Sequence, residues 1–279
     1  MPTTTANGAE IPLLGFGTWR LAGEEARRMV REAIGIGYRH IDTAVVYGNE
    51  AEVGAGIAEA IADGVVERDE LFITTKVWPD SFQPDAMRAS AEASLKRLGL
   101  DHVDLLLLHW PSPDVPVRTS VPALCAQQKA GLTRHIGVSN FNTSLLAEAL
   151  LVADRPLVTN QVEYHPLMTQ RAVLAALDAA GMAMTAYCPI ARGAVNGQSS
   201  LERIGAGYGK SAIQISLRWL TQKGVIAIPK TATPAHARSN LDIFDITLTD
   251  AEMDEIDAIG RPDGRTVTLD GYAPVWDAA

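Results

Sequence analysis

Asp42, Tyr47, Lys76 and His109 are of types that together can deliver a proton to a carbonyl oxygen. Hydride addition to a carbonyl carbon leaves negative charge on oxygen, and that oxygen needs a proton donor and hydrogen bonds. Tyrosine is a weak acid at its ordinary pKa of about 10, and a neighbouring ammonium favours the phenolate and lowers that value. Lys76 could supply that ammonium, Asp42 would hold it in place and keep it charged, and His109 would orient the carbonyl or share the proton. Each residue alone has a plainer reading: Asp42 caps a turn, Tyr47 packs on a loop, Lys76 snorkels from a strand end, His109 is a hydrogen-bonded rim histidine. Two other chemistries use the same residue types. A strand-end lysine can form a Schiff base, as in an aldolase, and the same scaffold can bind a dinucleotide as a sensor with little turnover.

To act jointly the four must be brought to one place by the elements that carry them. Short β-branched or leucine-rich runs at 13–18, 39–43, 71–76, 103–109, 135–139, 157–162, 183–187 and 225–229 read as strands. They alternate with amphipathic stretches at 23–36, 49–62, 84–98, 169–180 and 211–222. Eight strand–helix units predict an α/β architecture with a parallel sheet closed as a (β/α)8 TIM barrel. Asp42, Lys76 and His109 then end the second, third and fourth strands, with Tyr47 on the loop after Asp42, so all four converge at the C-terminal mouth where such barrels do chemistry. Asn7-Gly8 predicts a tight N-terminal hairpin that plugs the barrel floor. Residues 192–209, rich in Gly and Ser, read as a surface excursion, and 250–259 as a helix capped by Thr249. The aromatic tail 271–279 is expected over the mouth. No linker divides the chain, so residues 1–279 read as a single domain.

Composition narrows the partners. With 24 basic against 33 acidic residues and a formal charge of −9, and no Lys/Arg cluster, nucleic acid and anionic membranes are disfavoured. The N-terminus lacks the pattern of a secretory signal and no apolar run spans a bilayer, which makes the cytoplasm the expected location. Cys125 and Cys188 are far apart and lack metal-ligand spacing, so neither a disulfide framework nor a metal site is expected.

The stretch GYRHIDTAVVYGNEAEVGAGI, followed in order by LFITTKVW, VDLLLLHWP, RHIGVSNF and TNQVEYHP, resembles the aldo-keto reductases over essentially the whole chain. The resemblance implies an oxidoreductase that reduces small aldehydes or ketones with NADPH, Tyr47 acting as general acid beside Lys76 and Asp42 while His109 orients the carbonyl. It places Gly17, Thr18 and Asp42 near the nicotinamide, Ser139, Asn140 and Gln161 on its carboxamide, and Tyr187 against its ring. For Ser139 and Asn140, turn formation is a competing reading. No GxGxxG loop is present; the family instead lays its dinucleotide across the barrel mouth. IPKTATPAHARSN follows the last strand and opens a helix, a placement suited to phosphate. Lys230 and Thr231 would meet the 2′-phosphate there, and Asn240 the adenine. Family members commonly carry arginine where this chain has His236, and histidine lacks the permanent charge and fork of arginine. Arg238 lies close enough in sequence to compensate, so NADPH is expected to be preferred with appreciable NADH use. The resemblance also implies a monomer.

Trp19, Trp78 and Trp110 each follow a strand end and are expected to wall the substrate pocket, with Tyr272 and Trp276 closing it from above. Within the family the chain is most similar to bacterial 2,5-diketo-D-gluconate and methylglyoxal reductases. Small 2-oxoaldehydes, diketo sugar acids and aromatic aldehydes are the substrate classes that fit.

Overall fold

In the computed structural model, which describes residues 1–277, Asn7 and Gly8 take φ values of 46° and 87°. They fold β1 (Thr3–Ala6) back on β2 (Ala9–Pro12) with Ala6 opposite Ala9, the two-residue turn that positive φ at both centres permits. Eight parallel strands follow: β3 (Phe16–Gly17), β4 (His40–Asp42), β5 (Phe72–Val77), β6 (Val103–Leu108), β7 (Thr133–Ser139), β8 (Leu157–Glu163), β9 (Ala183–Tyr187) and β10 (Ile226–Ala227). Each pairs with its sequence neighbour, from β3 through to β10. The seam between last and first is closed by Gly15 donating to the Ala227 carbonyl at 2.8 Å, Ala227 to Leu13 at 2.9 Å and Gly17 to Pro229 at 3.0 Å. The sheet is therefore a closed (β/α)8 barrel, as the alternation of runs predicts.

The helices are α1 (Gly23–Ile36), α2 (Glu50–Ala62), α3 (Pro84–Leu98), α4 (Val117–Lys129), α5 (Thr143–Val152), α6 (Arg171–Ala179), α7 (Ser199–Tyr208), α8 (Ala212–Gln222), α9 (Pro234–Leu241) and α10 (Asp250–Asp257). Thr249 caps α10 through the Glu252 amide, with Glu252 reaching back to the Thr249 amide, the reciprocal cap that its Thr-x-x-Glu spacing favours. The surface excursion expected at 192–209 is half correct. Residues 199–208 form α7, which buries Leu201 and Ile204 and stops at Gly209 in the left-handed region, φ 67°. Glycines at 205, 207 and 209 hid a helix whose stability comes from those two buried side chains rather than from propensity.

Strand alternation divides the core. On β6, Leu106 and Leu108 belong to the large cluster shared with the helices, whereas Leu105 and Leu107 point inward. There they meet Ala6, Ala9 and Ile11 of the hairpin. Asn7 fastens the hairpin by donating to the Leu157 carbonyl at 2.7 Å. The floor is therefore plugged, which leaves the C-terminal mouth as the opening into the barrel among the described residues.

Candidate active site

β4 and β5 run in register, with Asp42 opposite Thr74, so the side chains of Asp42 and Lys76 meet just inside the mouth. Lys76 is fully buried, which excludes the snorkelling reading. Its Nζ donates to Asp42 Oδ1 at 2.6 Å, to the Thr43 carbonyl at 2.8 Å and to the Tyr47 hydroxyl at 3.5 Å. Three acceptors match the three protons of an ammonium. Gln161, from the far side of the barrel, donates to the other Asp42 oxygen at 2.8 Å. Burial lowers the Lys76 pKa from its ordinary value, while Asp42 and the more distant Glu50 oppose the shift. An amine so engaged is poorly placed for nucleophilic attack, which removes the geometric basis for a Schiff base.

Tyr47 departs from the expectation. Burial of its hydroxyl, with the Asp42 carboxylate second, pushes its pKa well above 10, whereas the ammonium was expected to lower it. The reason is that Lys76 spends its charge on Asp42 and Thr43, leaving the phenol the longest of its three contacts. A tyrosine in this state keeps its proton at neutral pH.

His109 follows β6, its ring edge-on to Tyr47 and Trp78 with centroids 5.7 and 5.3 Å away. Burial first, then Lys76, holds its pKa well below 6.5, so the imidazole is neutral at pH 7. Its Nδ1 is buried without a partner, so it is not the hydrogen-bonded rim histidine of the plainer reading. Asn140 donates to the His109 carbonyl at 2.9 Å and accepts from the Tyr187 hydroxyl at 2.7 Å, linking three strand ends. Among the described residues, five of the six non-glycine positions with positive φ cluster at this mouth: Arg20, Asn140, Cys188, Ala191 and Arg192. Such strain concentrates at functional sites.

Above this floor lies a cavity of about 640 Å³, of the size that takes small-molecule ligands. Trp19, Trp78 and Trp110 line it. Tyr272 and Trp276 do so at one remove, Tyr272 against Trp78 at 5.4 Å and Trp276 against Trp110 at 6.5 Å.

Residues 13–261 match the profile of the Aldo/keto reductase family. The chain belongs to that family. Among its relatives, the methylglyoxal reductase of Yersinia pestis is 38% identical, the match covering 96% of this chain and 99% of that protein. A solved structure described as a candidate 2,5-diketo-D-gluconic acid reductase B is 48% identical and superposes with a TM-score of 0.95 over 100% of this chain and 98% of that one. An aldo-keto reductase of Bombyx mori solved in complex with NADP is 36% identical, with a TM-score of 0.89 over 96% and 95% of the two chains. Membership makes this an NADPH-dependent oxidoreductase acting on carbonyl compounds.

The residues present fit a nicotinamide cofactor in this aldo-keto reductase. Gly17, Thr18, Ser139, Asn140, Gln161 and Tyr187 all line the cavity. At Gly17 a Cβ would come 3.0 Å from the Ile228 carbonyl, so a larger residue there would press on the strand end that borders the cavity. Lys230 also lines the cavity, whereas Thr231, His236 and Asn240 lie beyond it. Thr231 accepts from the Thr233 amide at 3.1 Å, His236 is exposed in the first turn of α9, and Asn240 is buried inside that helix, with Asp242 at its C-cap. Asn240 is therefore not a helix C-cap.

Sequence reasoning passed over Arg20 and Arg192, which line the cavity and stack on Trp19 at 4.3 and 6.0 Å. It also missed Asn49, whose amide donates to the Thr18 and Leu21 carbonyls at 2.9 and 2.8 Å and accepts from Thr43 at 3.0 Å. The available signal was position: Arg20 follows a predicted wall residue, and Asn49 is the first residue of a predicted helical stretch.

Proposed function

We propose that this aldo-keto reductase reduces small aldehydes and ketones, with 2-oxoaldehydes, diketo sugar acids and aromatic aldehydes as its substrate classes, and that Tyr47 is its general acid. The observation that carries the reading is the buried Lys76 ammonium held between Asp42, the Thr43 carbonyl and the Tyr47 hydroxyl. NADPH, when bound, supplies hydride to the carbonyl carbon. Tyr47 gives its proton to the carbonyl oxygen, the alcohol forms, and the phenolate left behind faces an ammonium 3.5 Å away. Burial keeps Tyr47 protonated until charge develops, and Lys76 then favours the deprotonated form at the moment it is needed. Neutral His109 orients the carbonyl by hydrogen bonding. The tryptophan wall excludes water and favours compact carbonyl compounds, in line with the methylglyoxal activity named for the Yersinia relative.

We assign Ser139, Asn140 and Gln161 to the carboxamide of the cofactor, Tyr187 to its ring, and Lys230 with Thr231 to its 2′-phosphate. His236, exposed in the first turn of α9, weakens phosphate discrimination relative to an arginine. The chain acts as a single barrel domain, monomeric and cytoplasmic; among the described residues no helix is long and apolar enough to cross a membrane.

The test is loss of reduced-nicotinamide absorbance with methylglyoxal, 2,5-diketogluconate and an aromatic aldehyde, using NADPH and NADH in parallel. Wild type should turn over with higher kcat/KM for NADPH, and Tyr47→Phe should lose about 10² to 10⁴ in kcat while still binding NADPH. Full activity in the mutant removes Tyr47 from the mechanism, and equal or better efficiency with NADH overturns the cofactor preference.

A further inference from the structure

Of the motif TNQVEYHP, the chemistry above uses only Gln161. Two residues further along β8, Glu163 is a carboxylate with no exposure at all. A buried carboxylate is tolerated only when its lone pairs are filled, and those of Glu163 are filled mainly from one distant segment. Oε1 accepts from the Thr266 amide at 2.8 Å, from the Thr266 hydroxyl at 2.5 Å and from His165 Nε2 at 3.2 Å, and Oε2 from the Val267 amide at 2.9 Å. Arg265 Nη1 lies 3.8 Å from Oε2. Burial alone would raise this carboxyl, but the bonds from His165, Thr266 and Val267 outweigh it and hold it below the usual range.

What Glu163 grips is the start of the tail, and the next residues, Val267, Thr268 and Leu269, line the cavity. Beyond them the tail crosses to Trp78 through Tyr272, and the Arg265 guanidinium carbon lies over Trp276 at 3.4 Å from its ring centre. Asn142 donates to the Val275 carbonyl at 2.8 Å and fastens the far end. The segment forming the cavity wall is thus held at its near end by one side chain rooted in a strand of the barrel.

We propose that Glu163 is a specificity-determining positioning residue: its carboxylate fixes the register of residues 266–267 and thereby the position of the 267–269 wall against which the substrate side chain packs. The inference rests on the carbonyl-reductase reading of the cavity. Glutamine at this position keeps the size but offers a single acceptor oxygen, and its amide group would face donors already aimed at the carboxylate. At least one tail bond must then break. Substrates that reach the wall suffer, whereas a compact oxoaldehyde held near Tyr47 and His109 is less affected.

The experiment compares wild type, Glu163→Gln and Thr266→Val, each with an aromatic aldehyde and with methylglyoxal, and follows amide hydrogen exchange at Thr266 and Val267. For Glu163→Gln the ratio of kcat/KM, aromatic over methylglyoxal, should fall by about tenfold, mostly through KM, with faster exchange at one or both amides. Thr266→Val removes only the hydroxyl bond and should shift the ratio the same way by less. The same Glu163→Gln change in a Leu269→Ala background should cost little further, because the wall it positions is already cut back. An unchanged ratio with kcat lowered alike for both aldehydes makes Glu163 a merely structural residue and overturns the proposal. Unchanged exchange at both amides overturns it as well, and that readout does not depend on turnover. Absence of turnover in wild type would count instead against the carbonyl-reductase reading.

Discussion

For the proposed acid, a tyrosine that holds its proton tightly beside a lysine that holds its proton loosely, the pH dependence can be worked out. Tyr47 is raised chiefly by burial, so across the neutral range the acid is fully loaded. Lys76 is lowered by burial and raised by Asp42, so in the proposed mechanism the ammonium that faces the phenolate is the group that fails first as pH rises. The alkaline limb of kcat should therefore fall below the ordinary lysine pKa of about 10.4. Asp42→Asn removes the main group that opposes the lowering of Lys76 and also a group that raises Tyr47. Both effects act in one direction, so the limb moves to lower pH in a kcat profile of this variant; a limb that stays put would show that neither group governs it. The mutant keeps a single acceptor oxygen where Lys76 and Gln161 each donate to one of two, so the plateau itself should drop.

At the scale of elements, α2 shows how tightly the scaffold is set around that cluster. A Cβ at Gly54 would come 2.3 Å from the Leu98 carbonyl at the end of α3, and one at Gly56 would come 2.5 Å from the Arg27 carbonyl of α1. Both contacts are with backbone, so the helix must shift rather than a side chain. Alanine normally gains about 1 kcal/mol over glycine inside a helix, but overpacking costs about 1–3 kcal/mol. Gly54→Ala is expected to lower unfolding free energy by up to about 2 kcal/mol in urea titration. It should also disturb Glu50, the first residue of α2, which accepts from Thr75 beside Lys76 at 2.5 Å and from Arg97 at 2.6 Å. None of this was legible beforehand, because a glycine in a helical run reads as a weak helix former and not as a contact. The strand ends were legible. Asp42, Lys76 and His109 each stand at the end of a predicted strand, and the parallel register brings them together without further information. The runs at 13–18 and 225–229 contract to two-residue strands because the seam is made by only a few bonds between residues 13–17 and 227–229. Glu163 was invisible for a different reason: the tail amides that it holds lie 103 and 104 residues away, and no local pattern reports contacts at that range.

Over the whole molecule, the plugged barrel separates a buried interior from a charged mouth. Arg20, Arg192 and Lys230 gather at the cavity of a protein whose formal charge is −9, an arrangement that draws an anionic cofactor to one opening. The interior carries the opposite constraint. His40 lies between the hairpin floor and the Asp42–Lys76 pair, 1% exposed, with Nε2 3.0 Å from the Thr74 hydroxyl and its ring edge-on to Phe72 at 5.1 Å. Burial, opposed mainly by Asp42, lowers its pKa to about 4, against about 6.5 in the unfolded chain. Above pH 6.5 His40 is neutral in both states and costs nothing. As pH falls below that value the unfolded chain binds a proton that the native barrel refuses, so stability declines until the native histidine itself titrates near pH 4, and is flat in this respect below it. The span corresponds to about 3 kcal/mol. His109 and His135 are lowered as well, and carboxylates add their own acid dependence, so the quantity to measure is a difference. Urea unfolding of wild type and His40→Gln at pH 7 and pH 4 should show wild type losing about 3 kcal/mol more between the two conditions. Equal losses would mean that the barrel admits water or relaxes around His40 before it unfolds, and the floor would then be less tightly plugged than the packing of Ala6, Ala9 and Ile11 against Leu105 and Leu107 implies.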